Sequence, residues 1–200
     1  MNISEAEKAE QRASAYKLLA DCYQSPDESI FETFSTLTDV LTDLGVETKS
    51  SEISEDLETL MVDHARLFVG PSTLVAPPYG SMYLEHGNQL MTESTLNVQK
   101  WYASEGMDLA IKDIPDHIRI ELEFMYFLAF NESRAEKGQK KEWQEKQQRF
   151  LGQHLAKWVK DFETKVKEGA DTSFYKKLCG LTSDFILQDF NYLIEINKKS

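Results

Sequence analysis

The sequence predicts an all-α protein: a single compact helical-bundle domain of about seven or more helices, interrupted by a long Pro/Gly-rich central loop. Three observations predict it. Apolar residues recur at three- and four-residue spacing along nearly the whole chain, the period of an amphipathic helix. No strand-like alternation runs longer than four residues. Of five prolines and nine glycines in 200 residues, three of each fall within residues 70–92, so helix breakers are concentrated in one place.

The first helix begins near Ser4, where Ser4 and Glu7 form a capping-box pattern. Its apolar stripe is Ala9, Ala13, Tyr16, Leu19 and Tyr23, and it stops before Pro26. A second helix covers about 27–44 and ends at Gly45, a natural C-terminal cap. A third runs from about Ile53 through Leu57, Leu60, Met61 and His64 to Phe68. Residues 70–92 have no clear periodicity, and a loop of that length inside a compact domain often carries function. Helix resumes over about 93–106, ending at Gly106. Pro115 is expected just inside the start of the next helix, with Asp116 in its first turn. That helix is apolar on most sides (Ile118, Leu122, Met125 and Ala129; Ile120, Phe124, Phe127 and Leu128), which predicts a central, largely buried element. A long helix over about 140–167 and a last one over about 172–196 complete the chain.

Composition narrows the functional classes. An apolar fraction of 41% against 28% charged residues suits one sizeable core, so residues 1–200 are expected to form a single domain. No stretch approaches the roughly 18 consecutive apolar residues of a membrane span, and the polar, acidic N-terminus lacks the apolar core of a secretory signal. Cys22 and Cys179 are far apart and outside any CxxC spacing, as expected of a reducing, cytoplasmic setting. The net charge of −12 argues against a nucleic-acid partner. Residues 1–60 hold fourteen acids against four basic residues, whereas 136–168 hold nine basic residues against six acids. An acidic face steers a basic peptide partner, although acidic surfaces also simply favour solubility.

Catalytic signatures are sparse. His64, His86, His117 and His154 show no HExxH spacing and no neighbouring cysteine, although Asp116–His117 together with His64 and His86 leaves a metal-dependent hydrolase as an alternative. His154 lies on an apolar stripe and reads as a core histidine. GxGxxG, GxxxxGK[ST] and GxSxG are all absent. Glu121 and Glu123 stand two apart on a helix and point to different faces, a poor arrangement for paired acid–base work. The expectation is a protein that is not an enzyme and needs no metal or cofactor.

Five stretches carry more specific information, and they are densest at residues 63–162. They are Arg66-Leu67-Phe68-Val69-Gly70-Pro71; Pro77-Pro78-Tyr79-Gly80-Ser81-Met82-Tyr83-Leu84; Thr95 to Tyr102 leading into Glu105-Gly106-Met107; Pro115-Asp116-His117-Ile118 with Glu121-Leu122-Glu123-Phe124-Met125; and Phe150 to Phe162 with His154-Leu155 and Trp158. In this order they resemble the TorD/DmsD family of redox-enzyme maturation chaperones. The family commonly has Glu where this chain has Gly80, and Glu-Pro where it has Glu93-Ser94.

The resemblance implies a cytoplasmic chaperone that binds the twin-arginine signal peptide of a molybdopterin-dependent oxidoreductase precursor. It would assist cofactor insertion, prevent premature export and touch the body of the catalytic subunit. A chaperone for a non-exported reductase is the alternative within the family. No stable membrane insertion is implied, and the chain would act as a monomer or a domain-swapped dimer. Two arginines followed by an apolar helical segment require carboxylates beside an apolar groove. Leu67, Phe68, Pro78, Tyr79, Tyr83 and Leu84 are the expected groove residues, with Asp116 and Glu123 as carboxylates and His117 adding shape or a hydrogen bond. On periodicity alone Leu67 and Phe68 read as core, and at least one of Glu121 and Glu123 as structural or solvated.

Overall fold

A computed structural model describes residues 4–48, 52–70, 74–85, 90–107 and 114–199. Within them the backbone forms nine α-helices and one π-helical turn, and the β-structure is limited to one isolated bridge. The helices are α1 (Glu5–Cys22), α2 (Ile30–Asp43), α3 (Leu57–His64), α4 (Ser81–Leu84), α5 (Glu93–Ser104), α6 (Ile118–Arg134), α7 (Lys140–Gln153), α8 (Leu155–Gly169) and α9 (Ser173–Lys199); the π turn, π1, is Ala65–Val69. No described helix is long and apolar enough to cross a membrane.

Local chemistry accounts for most boundaries. Ser4 and Glu7 form the expected capping box, each side chain accepting the other residue's backbone N–H at the start of α1. Asp56 caps α3 by accepting from Thr59 N at 2.9 Å. Gly45 follows α2 at φ 81°, a left-handed conformation that glycine adopts without a side-chain clash.

The core forms because the apolar stripes of α1 and α6 face each other in the most extensive pairing of the bundle, with α8 against α9 next. Ala9, Ala13, Tyr16, Leu19 and Tyr23 of the α1 stripe are all buried. Helix α6 is central as expected: Ile118, Ile120, Leu122, Phe124, Met125, Leu128 and Ala129 are buried. Around them Phe34, Phe150, Trp158, Phe162, Phe174 and Phe185 join one continuous apolar cluster.

Three boundaries differ from the sequence expectation. Helix α3 starts at Leu57 rather than Ile53, and its end widens into π1, where Gly70 N donates to Ala65 O at 2.6 Å. Helix α6 starts at Ile118 with His117 as its N-cap, so Pro115 and Asp116 stay outside the helix. The long helix expected over 140–167 breaks at His154, whose φ −127° and ψ −101° are not helical. The break lets α7 pack on α6 and α9 while α8 turns to α4 and α9, so one run of apolar spacing serves two sets of neighbours. Gly152, just before it, lies so close to α9 that an added Cβ would stand 3.0 Å from the Phe190 ring.

A buried ion-pair cluster ties four helices together. Arg12 of α1 bonds Asp189 of α9 through Nε and, at 3.0 Å, through Nη2; it reaches Glu132 of α6 at 2.7 Å and also donates to Gln147 of α7. Tyr16 Oη donates to Asp189 at 2.7 Å, and Gln144 and Gln147 donate to Glu132. Burial alone would lower the Arg12 pKa, and the two carboxylates more than reverse that, keeping it charged.

Candidate functional site

The site grows from a short meeting of two irregular segments. Prolines cannot donate backbone hydrogen bonds, so Pro77-Pro78 leaves an extended strand-like segment that offers carbonyls instead. Ile118 N donates to Pro78 O and Gly80 N to Asp116 O, both at 2.8 Å, and Tyr79 and His117 form the isolated antiparallel bridge. The two rings meet edge-to-face with centroids 5.2 Å apart, and both residues are half-buried. His117 Nδ1 accepts from Arg119 N at 3.1 Å, fixing the ring over the start of α6.

Beneath this pair lies a polar interior. Asp116 is 1% exposed; its Oδ2 accepts from Ser81 N at 2.6 Å, starting α4, while Oδ1 has no protein partner. Glu121 is fully buried, and neither of its oxygens has a hydrogen bond of normal geometry. Burial, then repulsion from Asp116, holds the Glu121 carboxyl well above its usual pKa; the nearby Trp158 indole N–H opposes this only partly. Tyr83 stacks on Trp158 with centroids 5.5 Å apart and donates to Pro77 O at 2.8 Å.

The expected groove residues therefore separate. Tyr79, Tyr83, Leu84 and His117 are half-buried and adjoin one another through the turn and α4. Pro78 is buried beneath them. Leu67 and Phe68 do not line a surface: both are buried in the core, where Phe68 packs against Tyr23, Phe162 and Tyr175, as a core reading of their spacing implies. Asp116 is not a first-turn acid but the anchor of the α4 turn. Glu123 is half-exposed on α6 and pairs with Arg119 at 2.8 Å.

Sequence reasoning passed over Arg12 and weighed Glu121 without placing it among the expected groove residues. Arg12 and Glu121 both sit on buried helical stripes, Arg12 between Ala9 and Tyr16 and Glu121 between Ile118 and Met125. A charged residue at a core position of the repeat was the available signal.

No metal centre assembles among the described residues: no group of three or more His, Cys, Asp or Glu side chains there is placed to hold an ion. His64 packs on Phe68 and Tyr175, with burial lowering its pKa, and His86 lies outside the described residues. His154 is buried, donates through Nε2 to Asn97 Oδ1 at 2.9 Å, and leaves Nδ1 without a hydrogen-bond partner.

The chain is a helical bundle whose Pro78–Ser81 turn carries half-buried aromatic side chains next to two buried acids. Residues 23–164, well over half of the chain, match the family model described as nitrate reductase delta subunit. The chain is 29% identical over 140 residues to the chaperone protein TorD of Vibrio parahaemolyticus, covering 68% of this chain and 64% of that relative. With TorD of a Psychrobacter species it shares 28% identity over 171 residues, covering 78% and 77%. With the Tat proofreading chaperone DmsD of Salmonella typhimurium it shares 29% over 123 residues, covering 60% and 55%. The chain thus spans only about two thirds or less of two of these three relatives. Its fold is similar to that of a putative redox enzyme maturation protein from Archaeoglobus fulgidus, with TM-score 0.52 at 18% identity and coverage of 97% and 96%. The chain belongs to the TorD/DmsD family of redox-enzyme maturation proteins.

Proposed function

We propose that this protein is a cytoplasmic chaperone, not an enzyme, that binds the twin-arginine signal peptide of a molybdopterin-dependent oxidoreductase precursor. It holds the precursor while the cofactor is inserted and releases it for export. The observation that carries this reading is the Pro78–Ser81 turn fastened to the start of α6, which sets Tyr79 against His117 and holds the Asp116 carboxyl on the Ser81 N–H, with Tyr83 on α4 and the half-exposed Glu123 further along α6. Family membership supports the same reading.

The chemistry suits such a leader. Aromatic side chains supply apolar area with little rotamer entropy to lose, and a leader's apolar segment gains about 25 cal/mol per Å² buried before ordering costs. A charge-assisted arginine–carboxylate contact adds about 1.5–3 kcal/mol. Leu67 and Phe68 contribute from behind, by fixing π1 in the core rather than by touching the peptide.

Calorimetric titration with the leader of the client oxidoreductase, beside a twin-lysine version, tests the reading. We expect dissociation constants of about 1 μM or tighter for the arginine leader, worth about 8 kcal/mol. Affinity falls for the lysine leader because an ammonium cannot make the planar two-point contact. Equal affinity for both removes the role of the carboxyls. Binding only to the full-length precursor moves recognition to the enzyme body, as a non-exported client would require.

A further inference from the structure

Two places in the described structure bury a pair of acidic side chains. At one, Asp189 and Glu132 share the Arg12 guanidinium, with Tyr16 and Gln147 completing its surroundings. At the other, Asp116 and Glu121 converge on the Gly80–Ser81 peptide beside Trp158. Five buried atoms there have no protein hydrogen bond of normal geometry: Ser81 Oγ, Asp116 Oδ1, both Glu121 oxygens and Trp158 Nε1. Four of the five are acceptors, or can act as acceptors, in an interior where an unmet polar group is costly.

We propose that Asp116 and Glu121 form a buried receptor for one guanidinium group, the side chain of a leader arginine admitted when the short α4 turn shifts from Trp158. This rests on the signal-peptide reading and deepens it by naming the acid pair. Gly80 makes the approach short. A Cβ at that position would stand 3.0 Å from Trp158 Nε1 and 3.2 Å from Glu121 Oε1, so the backbone of the turn rests directly on the indole and the carboxyl. A guanidinium offers five N–H donors in a plane, which fits two carboxyls and a hydroxyl, and the Arg12 cluster is the same solution inside the same bundle. A metal ion is a poorer fit, since two acids fall short of a ligand set and the Trp158 N–H cannot coordinate.

The receptor carries a proton signature. The titratable groups facing Glu121 are Asp116 ahead of α6 and Tyr102 of α5, whose phenol donates to Pro115 O. Helix α8 contributes the Trp158 indole and α4 the Ser81 hydroxyl, while on α6 itself Glu123 pairs outward with Arg119. Burial and Asp116 disfavour the charged form of Glu121; an arriving guanidinium favours the carboxylate, so a proton held by Glu121 leaves as the cation binds. Affinity then strengthens with rising pH, by at most about tenfold per pH unit for one proton.

The test is calorimetric titration of wild type and Glu121→Gln with the twin-arginine leader, at pH 6 and pH 8, in two buffers of different protonation enthalpy. The amide keeps the shape of the side chain and cannot ionise. We expect wild type to release close to one proton, and Glu121→Gln to lose both that release and about tenfold or more in affinity. Matching affinity and proton count in the two proteins overturns the receptor while leaving the chaperone reading intact. If wild type binds no leader, the chaperone reading fails by itself, and methylguanidinium then serves as probe, followed through the Trp158 indole N–H resonance. A shift in wild type that Glu121→Gln lacks sustains the receptor; no shift in either rejects it.

Discussion

The Arg12 cluster and the Asp116–Glu121 cluster bury similar residue types at different places in the bundle, and they differ in completion. Around Arg12 a guanidinium, two carboxylates, two amides and a phenol come from α1, α6, α7 and α9, and each carboxylate is bonded to the cation. Beside Gly80 the acids come from α6 and the segment ahead of it, and among the described residues the one hydrogen bond of normal geometry to their side chains is from a backbone N–H, with the Trp158 indole close to Glu121. The first arrangement belongs to the fold, because removing the guanidinium, or both carboxylates, leaves a buried charge stranded. The second keeps recognition capacity unspent, at some expense in stability. Unmet polar groups clustered under an accessible aromatic turn are where a ligand has most to gain.

The largest effect expected from this contrast is at Arg12. Arg12→Met strands Asp189 and Glu132, and breaking a buried pair from one side costs about 3–5 kcal/mol. Since a domain of this size is stable by about 5–15 kcal/mol, the variant should unfold at much lower denaturant. A midpoint within error of wild type would show that the cluster is dispensable and that the two acid pairs do not differ in what they contribute to the fold.

Glu121→Gln should act in the opposite direction. The folded-state pKa of Glu121 lies above its ordinary value of 4.5, so the unfolded chain gives up this proton at lower pH than the folded one. Wild-type stability from this group is complete below about pH 4.5 and is lost as pH rises toward the folded value, by at most about 1.4 kcal/mol per pH unit. The amide removes that loss. Denaturant titrations from pH 5 to 8 should therefore show Glu121→Gln gaining on wild type as pH rises. A constant difference across that range would mean that Glu121 is ionised in the folded protein.

Gly80→Ala probes the same cluster sterically. Gly80 has ordinary helical angles, φ −56° and ψ −40°, so its need for glycine is spatial and not conformational. The new methyl presses on Trp158 and Glu121, and overpacking of this kind costs about 1–3 kcal/mol. Thermal unfolding measures it. An unchanged midpoint would mean that Trp158 and Glu121 yield freely, and that the turn lifts from them with little resistance.

How much of this was legible in the sequence follows from where each signal lives. The α1 stripe, the α2 and α5 ends and the burial of α6 on most sides were readable because helical period and caps are local. The break at His154 was not, since apolar spacing runs through it and only the competing demands of α6, α4 and α9 divide it. Likewise Leu67 and Phe68 belong to a motif, and nothing local distinguishes a motif residue that fixes π1 in the core from one that meets a ligand. Tyr79 and His117 were found through their loop and motif, but the bridge that joins them spans 38 positions and is a tertiary fact. Glu121 and Glu123 were correctly separated by helical geometry. Which of them faces inward depends on the neighbours of α6, and the inward one proved to be the residue left out of the expected groove.

That last pair offers the smallest stability effect and a sharp distinction. Glu123 is half-exposed and bonded to Arg119 one turn away, an arrangement worth no more than about 0.5 kcal/mol. Glu123→Gln should leave the unfolding midpoint nearly unchanged, which makes any change in leader affinity directly interpretable. If the outer carboxylate only steers the basic leader, the substitution lowers the association rate and weakens its dependence on ionic strength, while the dissociation rate stays as in wild type. If instead Glu123 grips an arginine, the dissociation rate rises and Glu121→Gln has little effect. Stopped-flow kinetics of both variants with one leader, at low and high salt, therefore assigns approach and capture to separate carboxyls of one helix, or shows that the outer one does both.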